Sequence, residues 1–490
     1  MGAQNNETEE TTTYPIAEYD RAATIVMHEP NEELFVGTMH PAAALFMDYF
    51  NADKAAEEHE AYQNILRETG ANVVTVRDLL LKGCVDEEGN AIEGAELDAL
   101  REFASHYLTY TCSEGVDPAE QETYRQEMLA KFQPGDLVNI ILLQPEIILR
   151  KTDINTSFEA SYQLHPVMNL FFMRDQAITT SKGVVIGKMN SSQRRLESDI
   201  AEFCYRKLGE QPIYRIEGED AFLEGGDYLP FGTLSFIGCG LRTTQAAIDQ
   251  LLEHDLIGKD TLVVVRDQWK SQDQMHLDTY FNIIDRDLVT MCANRVEAEP
   301  GDIDFLTVDV YAKNTEGNFE KAVSGIPFTE FLAKRGIDII PIEKADELNY
   351  ANNFLTVGAR KIVMVAGQSL ELQAQLREHG VDVTWAYLDN LTRGYGAAHC
   401  MTQVVRRIPQ DETGSSVRTL TAGSASCQVE GGKGIIRLTP SQPMRIDIYG
   451  LGGDNRFSRS ISDETNIKTA PGIYIVATGD NGSGVKVVVE

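Results

Sequence analysis

One unit occurs near both ends of the main body of this chain: a short apolar strand, a segment with helical spacing, a glycine stop and a second buried strand. It runs first through Ala23–Met27, Lys54–Glu68, Gly70 and Val73–Val76. It returns as Lys361–Ala366, Gln368–Glu378, Gly380 and Val381–Trp385. Helical spacing that ends on glycine marks a helix C-terminus, and the short apolar runs read as buried strands. Strands alternating with helices predict an α/β fold. Gly183–Gly187, Pro212–Ile216, Leu234–Gly238, Thr261–Val265 and Phe281–Ile284 supply further strands, although no identical repeat is visible in the residues.

Two regions depart from this pattern. Leu97, Leu100, Phe103, Ala104, Tyr107 and Leu108 share one face of a helix-spaced segment. Downstream, Asp117-Pro118-Ala119-Glu120 combines an N-cap acid, a first-turn proline and a glutamate three residues after the cap. Residues 79–144 therefore read as a helical module inserted into an α/β body of residues 14–78 and 145–408. Residues 1–13 read as a disordered polar tail and 409–418 as a polar linker. Residues 419–490 are glycine-rich and β-branched, with strand-like Met444–Tyr449, Gly472–Val476 and Val485–Val489, and read as a small β-sandwich.

Four stretches carry candidate chemistry. The run Gly394, Gly396, Ala397, Ala398 leads tightly to His399-Cys400, a setting that presents a thiol. Asn169-Leu-Phe-Phe-Met-Arg-Asp175 sets aromatics beside an Arg-Asp pair, and Leu223-Glu-Gly-Gly-Asp-Tyr228 sets two acids around a glycine turn. Met275-His-Leu-Asp-Thr279 offers His276 and Asp278 two apart, on one face if the stretch is a strand. Each has a plain structural reading as a core thiol, a salt bridge or an acidic turn. Together they assemble a nucleophile, a histidine acid/base and several carboxylates. No consistent set of partner ligands accompanies His276 and Asp278, so no metal is expected. The seven cysteines are far apart, with no C-x-x-C, which is neither a disulfide framework nor a zinc site.

The net charge of -32 disfavours nucleic acid and anionic membranes as partners and is compatible with a small cationic substrate. In their order along the chain, the four stretches resemble the signature blocks of the arginine deiminase family, over about residues 14–407 and including the helical insertion. The resemblance implies a five-bladed, pseudo-symmetric α/β-propeller. It implies hydrolysis of free L-arginine to citrulline and ammonia without a cofactor. By resemblance Cys400 is the nucleophile and His276 the acid/base, with Asp175, Asp278 and Glu224 holding the guanidinium. Asn169, Phe172 and Arg174 belong to the substrate-binding block, and Arg194 and Arg242 match the arginines that take the substrate's carboxylate.

The chain departs from the family pattern at Gln176, where the family has proline, and at Tyr395, where some members have arginine. Its C-terminal segment, including Ile446–Gly453 and Ala470–Val476, resembles a sorting domain of Bacteroidetes secretion systems. The polar N-terminus shows no signal peptide, so location is left open between cytoplasm and export, as is assembly into a homo-oligomer. Two other readings stand beside arginine deiminase: an amidine hydrolase acting on agmatine or peptidyl-arginine, and a catalytically silent arginine-binding protein.

Overall fold

The computed structural model describes residues 12–154 and 156–409. It also describes the strands and some connections of the C-terminal region: 427–432, 435–440, 444–450, 455–469, 472–478 and 484–489. The expected tail up to residue 11 and the expected linker from residue 410 lie outside the described residues. Two compact units are present, residues 1–410 and 411–490.

In the larger unit, outside the insertion, one motif occurs five times among the described residues: a central strand with an antiparallel neighbour on one side and a parallel neighbour, reached through a helix, on the other. Leu355–Gly358, Lys361–Val365 and Asp382–Ala386 form one such set, with helix Leu370–Glu378 before the parallel strand. Ala177–Thr180, Gly183–Ile186 and Tyr214–Arg215 form another, with helix Glu197–Leu208. A third comprises Phe281–Asp285, Leu288–Cys292 and Asp338–Ile342. The fourth is widened to five strands by the hairpin Thr307–Lys313 and Phe319–Pro327. Parallel neighbours need a crossover, and a helix that buries its apolar stripe on the sheet provides it.

The remaining set joins the two ends of this unit. Arg21–Met27 runs parallel to Asn72–Thr75 and antiparallel to Gln403–Ile408, so Ile25 is flanked by Val73 and Val404. Thr13, assigned to the tail by the sequence reading, exchanges backbone hydrogen bonds with Arg407. The junction is locked by a wholly buried guanidinium: Arg407 Nη1 donates to the carbonyls of Asp20 (2.7 Å) and Thr356 (2.9 Å), and Nη2 donates to Glu18. Burial alone would raise the Glu18 pKa, but Arg407, His399 and Arg174 outweigh it and hold the carboxyl at about 2.

The insertion holds helices Ala95–Ser105, Pro118–Leu129 and Pro134–Leu143. Asp117 caps the second, accepting a hydrogen bond from the Ala119 N–H, and Pro118 occupies its first turn. The expected boundary at residue 144 needs correction. A strand at Thr109–Cys112, within the insertion, pairs in parallel with Pro145–Lys151, which pairs with Phe158–Leu164. The sheet therefore extends the module to residue 164. This pairing rests on contacts 37 residues apart in register, Thr109 opposite Glu146 for example, which local patterning does not reveal.

Among the described residues the smaller unit contains two antiparallel sheets. One orders Cys427–Gly432, Ile435–Pro440 and Thr465–Lys468; the other orders Asn455–Ile461, Met444–Gly450, Gly472–Thr478 and Gly484–Val489. Ile436 and Leu438 from the first meet Ile446, Ile448 and Val476 from the second in one apolar cluster.

Replacing Arg407 with Met leaves Glu18 buried without its main counter-charge. The expected cost is about 3–5 kcal/mol of stability in the larger unit, read from its denaturant midpoint at neutral pH. The folded pKa of Glu18 is depressed, so its contribution is present above the ordinary carboxylate value of 4.5 and is lost as pH falls toward about 2. The difference between wild type and variant should shrink over that range. A difference below about 1 kcal/mol at neutral pH would contradict the assignment.

Candidate active site

The loop that carries Cys400, the expected nucleophile, follows the turn Leu391–Gly394, after which Tyr395 adopts a left-handed φ of 68°. Cys400 is 4% exposed. The glycines before it are required by close approach. A Cβ on Gly394 would lie 2.9 Å from the rings of both Phe171 and Phe172, and one on Gly396 would lie 2.6 Å from Phe172 and 3.1 Å from the Cys400 Cβ. Phe171 and Phe172, with ring centroids 4.0 Å apart, press the loop from one side. Tyr62, on helix Ala52–Glu68, donates its hydroxyl to the Ala398 carbonyl at 2.9 Å.

Asn353 clamps the loop from the other side and was not anticipated from the sequence. Its Oδ1 accepts the N–H groups of Ala397 (2.9 Å) and Cys400 (3.1 Å). Its Nδ2 donates to the Asp278 carbonyl (3.2 Å) and lies 3.1 Å from the Cys400 Sγ. A polar Asn-Asn pair, one residue short of the strand Leu355–Gly358, was the available signal.

Asp278 places its carboxylate oxygens 3.6 and 4.0 Å from the thiol sulfur. His399 Nδ1 meets the same carboxylate at 2.7 Å, while its Nε2 is 3.9 Å from Glu18. His399 therefore braces Asp278. The expectation that His276 and Asp278 share a strand face is corrected: His276 is extended, and Leu277–Tyr280 is a short helical turn. The Asp227 carboxylate accepts the Leu277 N–H at 2.9 Å and fixes that turn.

His276 Nε2 and Glu224 Oε2 are 2.8 Å apart, and Nδ1 is 3.7 Å from Asp175 Oδ1. A Cβ on Gly226 would come within 2.7 Å of Nδ1, so the glycine turn makes room for the ring. Burial opposes a charged imidazole here. Asp175, the Glu224 hydrogen bond and Asp227 outweigh it and push the pKa up to about 9. Glu224, by the same pairing and against its own burial, is held at about 2. The Cys400 thiol is driven the other way. Burial first, then Asp278 and Asp175, raise its pKa well above 9, against the lowering hydrogen bond from Asn353.

Asp175 Oδ2 accepts from Arg194 Nη1 at 2.7 Å, while its Oδ1 is buried without a hydrogen-bond partner. Arg194 also binds Glu197, with Nη2 at 2.8 Å. Gln176 Nε2 donates to that Glu197 (2.8 Å) and to the Phe172 carbonyl (3.0 Å). A side chain thus braces the turn where the family has proline. Arg242 differs from Arg194: among the described residues it makes no ion pair, and Nη2 donates only to Gln272 (3.2 Å) and Met275 Sδ (3.7 Å). Gln272, like Asn353, was not anticipated.

Leu45, Asn169, Phe172, Asp175, Arg194, Arg242, Gln272, Met275, His276, Gly394, Tyr395 and Cys400 enclose one cavity of about 20 Å³. Glu224 and Asp278 reach it through His276 and Cys400. Arg174 does not line it: its Nε donates to the His399 carbonyl (3.3 Å), Nη1 to Gln403 (3.5 Å), and Glu18 lies 3.8 Å away. Its side chain is therefore not among those that the structure brings to this cavity. It sits behind the nucleophile loop, and its backbone N–H holds the Cys400 carbonyl at 2.9 Å. A larger cleft of about 1100 Å³ lies between the insertion and helix Glu197–Leu208, and no cysteine lines it. Asp175, Glu224 and His276 also bring one potential metal-ligand atom each within 4.8 Å of one another.

The family model for arginine deiminase matches residues 43–407. The chain belongs to the arginine deiminase family. It is 27% identical over 492 residues to arginine deiminase of Halobacterium salinarum, covering 80% of this chain and 96% of that protein. It is 25% identical over 413 residues to the Limosilactobacillus fermentum arginine deiminase, covering 79% and 96%. A solved structure of a dimethylarginine dimethylaminohydrolase adduct aligns over 79% of this chain and 99% of its own at 15% identity, with a TM-score of 0.45. The family match ends at residue 407, so the C-terminal unit lies beyond it.

The imidazole of His276 should stay protonated through neutral pH and titrate near 9, as read by NMR of labelled histidine. Glu224→Gln removes its hydrogen-bonded counter-charge and should move that titration to lower pH by about 1 pH unit or more. A titration in the ordinary histidine range in the wild type, unmoved by the substitution, would overturn the pairing.

Proposed function

We propose that this deiminase hydrolyses the guanidinium of free L-arginine to citrulline and ammonia through an S-amidino intermediate on Cys400. The observation that carries the reading is the thiol sulfur lying 3.6 Å from one buried carboxylate, in a cavity also walled by Asp175. Paired acids beside a nucleophile repel an anionic or carbonyl-polarised substrate and select a cation. A planar guanidinium can take charge-assisted hydrogen bonds from two carboxylates at once, and the unpartnered Oδ1 of Asp175 is free to accept one.

The reaction follows from these groups. Substrate positive charge offsets the two aspartates, the thiol gives its proton up to solvent as substrate enters and recovers it when the thiolate is released at the end of the cycle, and the thiolate attacks the guanidinium carbon. His276, protonated before turnover, gives its proton to the departing nitrogen, which leaves as ammonia. The neutral imidazole then takes a proton from water as that water attacks the S-amidino carbon. Collapse expels the thiolate, and the proton released with the urea group of citrulline passes to ammonia, giving ammonium. Asn353 Nδ2 stabilises sulfur charge at both ends of the cycle.

At about 20 Å³ the cavity holds little more than one water. Arginine therefore enters by displacement of wall segments. Leu45 and Tyr395, both left-handed at φ 61° and 68°, are the wall residues on strained backbone. Tyr395 adds no charge to the wall, where an arginine would compete with the substrate for the carboxylates. We read the five strand sets as blades of one α/β-propeller, and the two sheets of the C-terminal unit as a β-sandwich related to secretion sorting domains.

Arg194 is already satisfied by Asp175 and Glu197, so Arg242 is the cation available to the substrate's carboxylate. Arg242→Ala should lower kcat/KM for L-arginine by about 10- to 150-fold, mainly through KM, with little effect on agmatine, which has no carboxylate. Arg194→Ala should depress kcat as well, because it frees Asp175. Equal KM effects on both substrates would refute this division. The activity itself is tested by citrulline and ammonia release from L-arginine, agmatine and a capped arginine peptide. Turnover of L-arginine alone, abolished in Cys400→Ala, is the expected result. Turnover of agmatine or the peptide would move the assignment to a different amidine hydrolase, and binding without turnover would support a silent arginine-binding protein.

A further inference from the structure

The strand Phe158–Leu164 closes one side of the sheet in the insertion, and no strand pairs with its outer edge among the described residues. All seven of its residues are exposed. Phe158, Ala160, Tyr162 and Leu164 share one face, with Tyr162 70% and Leu164 44% accessible. Ile147 and Leu149 on the neighbouring strand, opposite Tyr162 and Ala160, extend that apolar face inward. An open, regular, apolar edge is a template for pairing with another chain, and proteins ordinarily blunt such edges with bulges, proline or lysine.

The other long exposed edge in the larger unit is blunted in this way. Phe319–Pro327 has register shifts against its neighbour, a left-handed Gly325 at φ 71°, a terminal proline, and Lys321 paired with Asp309. Phe158–Leu164 contains no proline, lysine or glycine and pairs with its neighbour without a register shift. Its one charge, Glu159, is bonded to Arg150 within the chain.

We propose that this strand pairs antiparallel with the same strand of a second copy, about a two-fold axis at Ser161. The sequence Phe-Glu-Ala-Ser-Tyr-Gln-Leu is self-complementary about that centre. Phe158 then faces Leu164 of the partner subunit, Ala160 faces Tyr162 of the partner subunit, and Glu159 faces Gln163 of the partner subunit. Apolar residues meet apolar ones on one face, and a small side chain meets a large one. On the polar face no like charges oppose one another, which matters in a chain of net charge -32. A two-fold contact of this kind uses each pair twice and joins the two three-stranded sheets into one of six.

The test is the dimer dissociation constant of the full chain by sedimentation, with arginine turnover as the check on folding. Gln163→Glu sets two carboxylates opposite each other at both symmetry-related positions and should weaken the dimer. Gln163→Lys sets an ammonium opposite each Glu159 and should strengthen it. Changes of about 2- to 30-fold in opposite directions are expected, diminishing at high salt, and Tyr162→Arg should favour the monomer. A wild-type chain that stays monomeric through the micromolar range overturns the proposal, whatever else then covers the strand. So does a dimer that both Gln163 variants leave unchanged or move in the same direction.

Discussion

Four carboxylates, those of Asp175, Glu224, Asp227 and Asp278, are buried within one small site beside a thiol. Burying a carboxylate is costly unless it is paired and hydrogen-bonded, and most of the surrounding structure serves that need. Glu224 has the imidazole of His276, Asp278 has His399, Asp175 has Arg194, and Asp227 has the Leu277 N–H. Asp227 also has one oxygen without a hydrogen-bond partner, and burial pushes its carboxyl up to about 7. What faces the cavity is one oxygen of Asp175 without a hydrogen-bond partner, and a thiol that burial and negative charge keep protonated. Both deficits are of positive charge, and a guanidinium supplies it.

The compensation extends behind the site. Arg174 and Arg407 lie near the same Glu18 carboxylate that approaches His399, so the junction between the two ends of the larger unit and the bracing of Asp278 share charged groups. Arg174 also shows how a residue can belong to the site's architecture without lining its cavity. Its backbone holds the nucleophile's carbonyl, while its side chain packs on the far side of the loop. Gln176 illustrates a substitution absorbed in place: two hydrogen bonds from its amide fix the turn and the Glu197 that orients Arg194.

Much of this was legible in the sequence, for identifiable reasons. Helix Leu370–Glu378 and strands Leu234–Cys239 and Phe281–Asp285 carry strong local patterns, and the structure places them within a residue or two of expectation. The glycines before Cys400 were readable as a tight approach, whereas the room that Gly226 makes for His276 lies in a contact fifty residues distant. The fivefold repeat was not, since it lies in strand order and direction rather than in residue identity. The placement of His276 and Asp278 on a strand failed because a hydrogen bond from Leu277 to Asp227, fifty residues away, bends that stretch into a helical turn. Asn353 and Gln272 do their work through contacts with residues 47 and 30 positions distant; the Asn-Asn pair was the one local hint for the first, and nothing local distinguishes the second from an ordinary polar side chain.

The central claim is that the buried acids hold Cys400 as a thiol until a cation arrives, so that substrate binding itself creates the nucleophile. The most direct measurement is the ultraviolet absorbance of the Cys400 thiolate against pH, with the Cys400→Ser protein subtracted, in the absence and presence of a non-hydrolysable arginine analogue. The account predicts no thiolate signal below about 9 in the free protein, and a transition at distinctly lower pH when the analogue is bound. A thiolate already present at neutral pH without ligand, or a transition that the cation fails to lower, would contradict it.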